Sequence, residues 1–258
     1  MSPLAIVSLF IPLIGTTLGS SMVFFLKKEI NQRLQKVLLG FASGVMLAAA
    51  IWSLLQPAID MFETSDWRMW FAPAIGFLVG IGFLLLLDYV VPHVHIDKKE
   101  EGAKTEKISR VNKMMFAVTL HNIPEGLAFG VIVAGAITGT MSEQSMLILA
   151  IGIAIQNFPE GAIVSMPLKE EGFSKGKAFL YGFLSGIVEP VAAGLAILVT
   201  AFVTVILPYT LAFAAGAMIY VVVEELIPEA NEGSHSNLAT IGLAVGFVLM
   251  MVLDIALG

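Results

Sequence analysis

Leu120-His121-Asn122-Ile123-Pro124-Glu125-Gly126 and Ile155-Gln156-Asn157-Phe158-Pro159-Glu160-Gly161 carry one pattern, Asn-x-Pro-Glu-Gly, repeated 35 residues further along the chain. Each copy lies inside an apolar block, so the pattern predicts two consecutive membrane spans, 112–137 and 143–167, that must run antiparallel. Two antiparallel helices with one motif are related by a pseudo-two-fold axis in the membrane plane. Inverted pairs of this kind place binding sites near the midplane, at interrupted helices.

The rest of the chain is of the same character. Of its 258 residues 57% are apolar and 13% charged, against roughly a quarter charged in a soluble domain. Too few polar groups are present to cover a globular surface, which makes lipid the solvent. A span needs about 20 residues, and eight blocks of sufficient length are predicted: 4–26, 37–62, 70–91, 112–137, 143–167, 177–206, 208–228 and 238–257. The expected fold is an all-α integral membrane protein of eight transmembrane helices, an inverted-repeat bundle kinked by proline in helices 4 and 5. It forms a single transmembrane domain, 1–258, whose longest hydrophilic loop is 92–110. The chain has no cysteine, which excludes disulfides and thiolate metal sites. No basic region precedes the first apolar stretch, so that block reads as a retained span. No nucleic-acid partner is expected.

Charge gives the orientation. Thirteen of the fourteen Lys and Arg fall in odd-to-even connections or the span ends beside them, from Lys27 and Lys28 to Lys175 and Lys177; only Arg68 lies in an even-to-odd loop. The basic loops face the cytoplasm, which places both termini outside a cell membrane crossed many times.

His121 and Glu125 stand four apart, on one helical face, and Gln156 and Glu160 repeat the spacing. Asn122 and Asn157 precede their glutamates by three. Each helix thus offers an imidazole or amide together with a carboxylate. Proline has no N–H, so Pro124 and Pro159 deprive the carbonyls of Leu120 and Ile155 of their helical donor, and Gly126 and Gly161 are expected to let the two motif backbones approach each other.

A carboxylate at mid-span costs about 2.5–3.5 kcal/mol on insertion scales. Glu125, Glu160 and Glu189 together would cost roughly 10 kcal/mol, as much as the whole stability of a typical domain. No Lys or Arg lies inside spans 4, 5 or 6 to balance them. Protonation, hydration in a cavity or a visiting cation remain, and the neighbouring imidazole favours a transition metal. The site is therefore read as a divalent-metal site.

Other polar residues have two readings each. His93 and His95 are solvated loop residues or loose metal ligands at the cytoplasmic mouth, and the same holds for the acidic run Glu229–Glu232 with His235. Glu224 and Glu225 line an exit path or are peripheral. Asp60 is a cation-attracting mouth or a solvated loop acid. Asp88 and Asp254, near span ends, read as structural or peripheral, and Met46, Met114, Met115 and Met218 as packing residues.

His-Asn-x-Pro-Glu-Gly at 121–126, Gln-Asn-x-Pro-Glu-Gly at 156–161 and Ser-Gly-x-x-Glu-Pro at 185–190, with Glu-Glu-Leu-Ile-Pro-Glu at 224–229 and Leu-Asp-Tyr…Pro-His-x-His at 87–95, resemble the ZIP family of divalent metal transporters. The likeness is to its bacterial GufA-like branch and covers essentially the whole chain. It implies a binuclear centre: His121, Glu125 and Glu160 in one site with Gln156 beside it, and Asn122, Asn157, Glu160 and Glu189 in the other. It also implies an elevator-like homodimer in which spans 1, 4, 5 and 6 move against 2, 3, 7 and 8. Met46, Ser53 and Asp60 resemble the family's span-2 pathway, and Glu225 its exit-side acid in span 7. Two positions depart from the branch: Asn157 stands where Asp is frequent, and Glu224 replaces a common His.

The expected function is uptake of Zn²⁺ into the cytoplasm, with Cd²⁺, Fe²⁺, Mn²⁺ and Co²⁺ as further candidate cargoes and no enzymatic activity. Metal binding at protonatable ligands releases protons, so pH tunes uptake. The alternatives are a transporter of opposite direction and an intramembrane metal-dependent hydrolase. The hydrolase lacks a His-Glu-x-x-His pattern or a nucleophile motif.

Overall fold

Eight helices carry the chain back and forth between two ends: α1 Pro3–Phe25, α2 Gln32–Asp60, α3 Arg68–Val90, α4 Arg110–Thr138, α5 Glu143–Glu170, α6 Lys175–Ala201, α7 Leu207–Ala230 and α8 Leu238–Leu257. The computed structural model describes the chain outside residues 1, 26–30, 64–65, 91–92, 95–99, 102–109, 171, 202–203, 235 and 258, and leaves out the side chains of 93–94, 100–101, 110–121, 167, 170, 200–201, 204 and 257. Seven of the helices are long and apolar enough to cross a membrane, and in α4 the stretch Asn122–Thr138 is a shorter apolar helix. This is the expected all-α membrane architecture. The one addition, in the stretch expected as a loop, is a two-residue antiparallel pairing of β1 His93–Val94 with β2 Glu100–Glu101.

Hydrogen bonds identify the two ends. At one, Lys36 Nζ donates to the Ser234 carbonyl at 2.8 Å and Lys175 Nζ to the Phe24 carbonyl at 3.0 Å, joining the 1–2, 5–6 and 7–8 connections. We call this the basic end. At the other, the terminal end, Ser2 Oγ donates to Glu143 Oε1 at 2.9 Å and Ser53 Oγ to Asp254 Oδ1 at 2.7 Å. Arg68, the lone basic residue there, is paired with Asp66 at 2.6 Å and holds that carboxyl below its usual range. Its charge is thus locally cancelled, which sharpens the contrast between the ends.

Pro124 and Pro159 lie inside helices that continue through them. The backbone pattern changes in α2 and α7, which widen into π-helix over Ala50–Leu55 and Val222–Leu226. Each wide turn ends two residues before a proline, Pro57 or Pro228. A proline ring crowds the carbonyl four residues back, here Ser53 and Glu224, and a π turn relieves that crowding.

The most extensive helix pairings are α1 with α5, α4 with α6, α2 with α8 and α3 with α7. They form two quartets: α1, α4, α5 and α6 in one, α2, α3, α7 and α8 in the other. Glycine makes the seams within each quartet. A side chain on Gly15 or Gly19 would collide with α5 backbone, on Gly40 or Gly44 with α8, on Gly80 with α7, and on Gly130 with α6. Small residues of this kind let membrane helices meet backbone to backbone. Across the boundary between the quartets the packing is by side chains, as where Met250 of α8 fills the notch at Gly152 of α5. The apolar core there includes Val45, Phe129, Ile132, Leu149, Ile153 and Met218.

Candidate metal site

The two Pro-Glu-Gly segments do not pack glycine to glycine, as their sequence led us to expect. Gly126 of α4 is pressed against the Glu189 carbonyl of α6, and Gly161 of α5 against the Thr16 carbonyl of α1. The asparagines repeat the arrangement: Asn122 Nδ2 donates to the Ser185 carbonyl of α6 at 2.8 Å, and Asn157 Nδ2 to the Pro12 carbonyl of α1 at 3.4 Å. In each half the glycine meets the carbonyl four residues beyond the one the asparagine holds. The inverted repeat therefore extends past the motif helices to their partners, with α1 equivalent to α6 and Thr16 to Glu189.

This packing brings the donors together. Asn122, Glu125, Gln156, Asn157 and Glu189 are each at most 2% exposed, and Glu160 is half-buried. Asn157 Nδ2 also donates to Glu189 Oε2 at 2.8 Å, Thr16 Oγ1 donates to Glu189 Oε1 at 3.3 Å, and Gln156 Nε2 donates to Asn157 Oδ1 at 3.0 Å. Glu125 feels the charges of both Glu160 and Glu189, and Glu189 that of Glu160. The chain holds no Lys or Arg between 114 and 168, nor beyond Lys177.

Asn122 gives its amide hydrogen to the α6 backbone, whereas Gln156 and Asn157 also donate within the site, to Asn157 Oδ1 and Glu189 Oε2. Among the described residues, Asn122 Oδ1, Glu125 Oε2 and Gln156 Oε1 are buried acceptors without a hydrogen-bond partner. Orphaned acceptors in a dry interior are costly, and three in one site beside clustered carboxylates suit a cation. Among the described residues no three acid, imidazole or thiol side chains could hold an ion by themselves. The unpartnered amide oxygens of Asn122 and Gln156 are further acceptors available beside the carboxylates. His121 lies in α4, but its side chain is outside the described residues.

A narrow cavity of about 40 Å³ is lined by Glu125, Gln156 and Glu160 and extends along Met46, Ala42 and Leu38 of α2 and Leu226 and Glu229 of α7, towards the basic end. Towards the terminal end, among the described residues, buried apolar side chains including Phe129, Ile132, Leu149 and Ile153 belong to the core.

The remaining sequence candidates are dispersed. Met46, 1% exposed, lines the cavity; Met218 is packed in the core. Ser53 is 4% exposed and tied to Asp254 near the terminal end. Asp60 is exposed and accepts from Gln56 Nε2 at 2.8 Å. Glu225 is buried but absent from the cavity wall, and Glu224 is exposed. Asp88 accepts from the Tyr220 hydroxyl at 3.1 Å. The side chains of His93, Met114 and Met115, and all of His95 and His235, lie outside the described residues. Sequence reasoning missed Thr16 and the Pro12 and Ser185 carbonyls. Thr16 and Ser20, four apart in an apolar span, were the one available signal; backbone carbonyls give none.

The family model described as ZIP Zinc transporter matches residues 2–115 and 92–254 of the chain. The chain is 40% identical to Zinc transporter ZIPB of Bordetella bronchiseptica, over 95% of this chain and 78% of that protein. It is 39% identical to Zinc transporter ZIP11 of Xenopus tropicalis, over 94% of each. To Zinc transporter GufA of Myxococcus xanthus it is 36% identical, over 95% of this chain and 96% of that protein.

Proposed function

The chain belongs to the ZIP zinc transporter family, and from that premise we propose that it carries Zn²⁺ across the cell membrane into the cytoplasm through the α1–α4–α5–α6 site. The family is one of transporters, not enzymes, and a hydrolase is not favoured. The observation that carries the proposed site is the set of buried, unpartnered acceptors, Asn122 Oδ1, Glu125 Oε2 and Gln156 Oε1, beside carboxylates that no Lys or Arg balances.

In this reading His121, Glu125 and Glu160, with Gln156 beside them, take one ion. Asn122, Asn157, Glu160 and Glu189 form the second position, weaker because two of its four ligands are neutral amides. Thr16 and Asn157 orient Glu189 so that its charge is fixed before the ion arrives. Each carboxylate and the imidazole must be deprotonated to ligate, so loading releases protons towards the side of arrival.

The direction rests on two supports. The excess of Lys and Arg assigns the basic end to the cytoplasm, with both termini outside. The cavity extends from the site towards that end, which corresponds to the state that releases cargo inward. Met46, Ser53 and Asp60 would mark the way in from the terminal end, and the family resemblance would put Glu225, His93 and His95 near the way out. Glycine seams within each quartet and side-chain packing between them support movement of α1, α4, α5 and α6 as one body against the other four. Cd²⁺, Fe²⁺, Mn²⁺ and Co²⁺ are further cargoes under this proposal, and a homodimer its assembly.

Purified protein in liposomes loaded with a zinc-sensitive dye tests the reading. Zinc entering at a saturable rate that Glu160→Ala lowers at least tenfold is the expected result; an unchanged rate in that variant would argue against the site.

A further inference from the structure

Among the described residues the wall of the cavity holds one charged side chain beyond the metal site itself, and it is not the one that helical counting selects. Val221 of α7 faces the cavity. In an α-helix the next residues on that face would be Glu224 and Glu225, three and four positions on. The π turn at Val222–Leu226 inserts an extra residue into that count. The wall is instead continued by Leu226, five positions on, and then by Glu229, three beyond it. Glu225 is turned into the protein at 4% exposure and Glu224 outward to the surface.

Glu229 is half-buried and sits at the end of the cavity away from the metal site. The next residue, Ala230, packs with Leu39 of α2 and Ile163 of α5, so its backbone is fixed against both walls. Between Glu160 and Glu229 the described wall is apolar: Leu38, Leu39, Ala42, Ile163, Val164 and Leu226. A divalent ion leaving the site meets no other charged group among them. Such a narrow apolar stretch is costly for an ion to cross, and a carboxylate at its far end offsets part of that cost, since low-dielectric walls focus the field of that charge on the path.

We propose that Glu229 is the exit carboxylate of this transporter, the side chain that draws the divalent ion out of the site and passes it to water at the basic end. This rests on the inward direction proposed above.

Zinc flux into dye-loaded liposomes, together with equilibrium zinc binding by the same purified protein, tests it. Glu229→Gln should lower flux about tenfold at low ionic strength, the lower bound for steering by a charged cleft. The deficit should shrink as salt is raised, because the lost attraction is a screened one. High-affinity zinc binding should stay at the wild-type level, and Glu229→Asp should restore most of the flux. Wild-type flux in Glu229→Gln overturns the inference. So does loss of equilibrium binding in step with flux, which marks a merely structural role. Wild-type protein that carries no zinc overturns the transport reading, and the inference with it.

Discussion

Thr16 and Glu189 occupy equivalent positions in the two halves of the site and meet at its centre, where the threonine hydroxyl donates to the glutamate at 3.3 Å. The symmetry of the backbone is thus kept while that of the side chains is broken. One half supplies a charge and the other a neutral donor that orients it.

Replacing Thr16 by Val keeps the shape and removes that donor. A hydrogen bond to a charged group contributes about 1.5 kcal/mol or more, equivalent to a factor of about ten. The half-saturating zinc concentration for liposome uptake should rise by roughly that factor, with the protein still folded.

Asn157→Asp exchanges the donor that Glu189 accepts at 2.8 Å for a second carboxylate. Without metal the two acids repel, and the detergent-solubilised protein should melt at a lower temperature than wild type. With zinc the added charge is a ligand, so the zinc-induced rise in melting temperature should exceed that of wild type. An equal rise in both proteins would place residue 157 outside the donor set.

Gly126→Ala and Gly161→Ala each drive a methyl group into the carbonyl of a neighbouring helix. Overpacking costs about 1–3 kcal/mol, which should appear as a lower melting temperature and reduced zinc uptake. Gly82 and Gly194 have no foreign atom within 4 Å of an added methyl. Alanine there should leave melting unchanged or raise it slightly, by up to about 1 kcal/mol for a helical glycine.

Lower pH should weaken zinc binding. The carboxylates and imidazole proposed as ligands would bind protons in competition with the ion, so the apparent affinity should rise with pH and fall as the medium is acidified. Titration of zinc binding between pH 6 and 8 reads the slope, and Glu125→Gln should flatten it by removing one competing site.

The eight-helix architecture was legible because lipid imposes long apolar blocks and the basic residues mark one end of them. The motif helices were legible because a carboxylate in hydrocarbon needs a reason. What could not be read were partnerships made by backbone. Gly126 and Gly161 advertise a close neighbour without naming it, and the neighbours proved to be carbonyls of α6 and α1 rather than each other. The register of α7 was equally hidden, since Pro228 foretells a disturbance upstream but not a widened turn, and one extra residue there exchanges Glu225 for Glu229 on the cavity wall.

Lys175 and Lys36 are clasped to carbonyls of neighbouring connections, at Phe24 and Ser234. Phe24 lies in the last turn of α1, where carbonyls lack a helical donor, so the ammonium acts as a cap supplied from another segment. A charge that resists passage through the bilayer while the chain is being inserted thus becomes, once folding is complete, a stitch that closes the protein on that side. Neutralising either lysine would loosen the stitch and blur the topological signal in the same stroke.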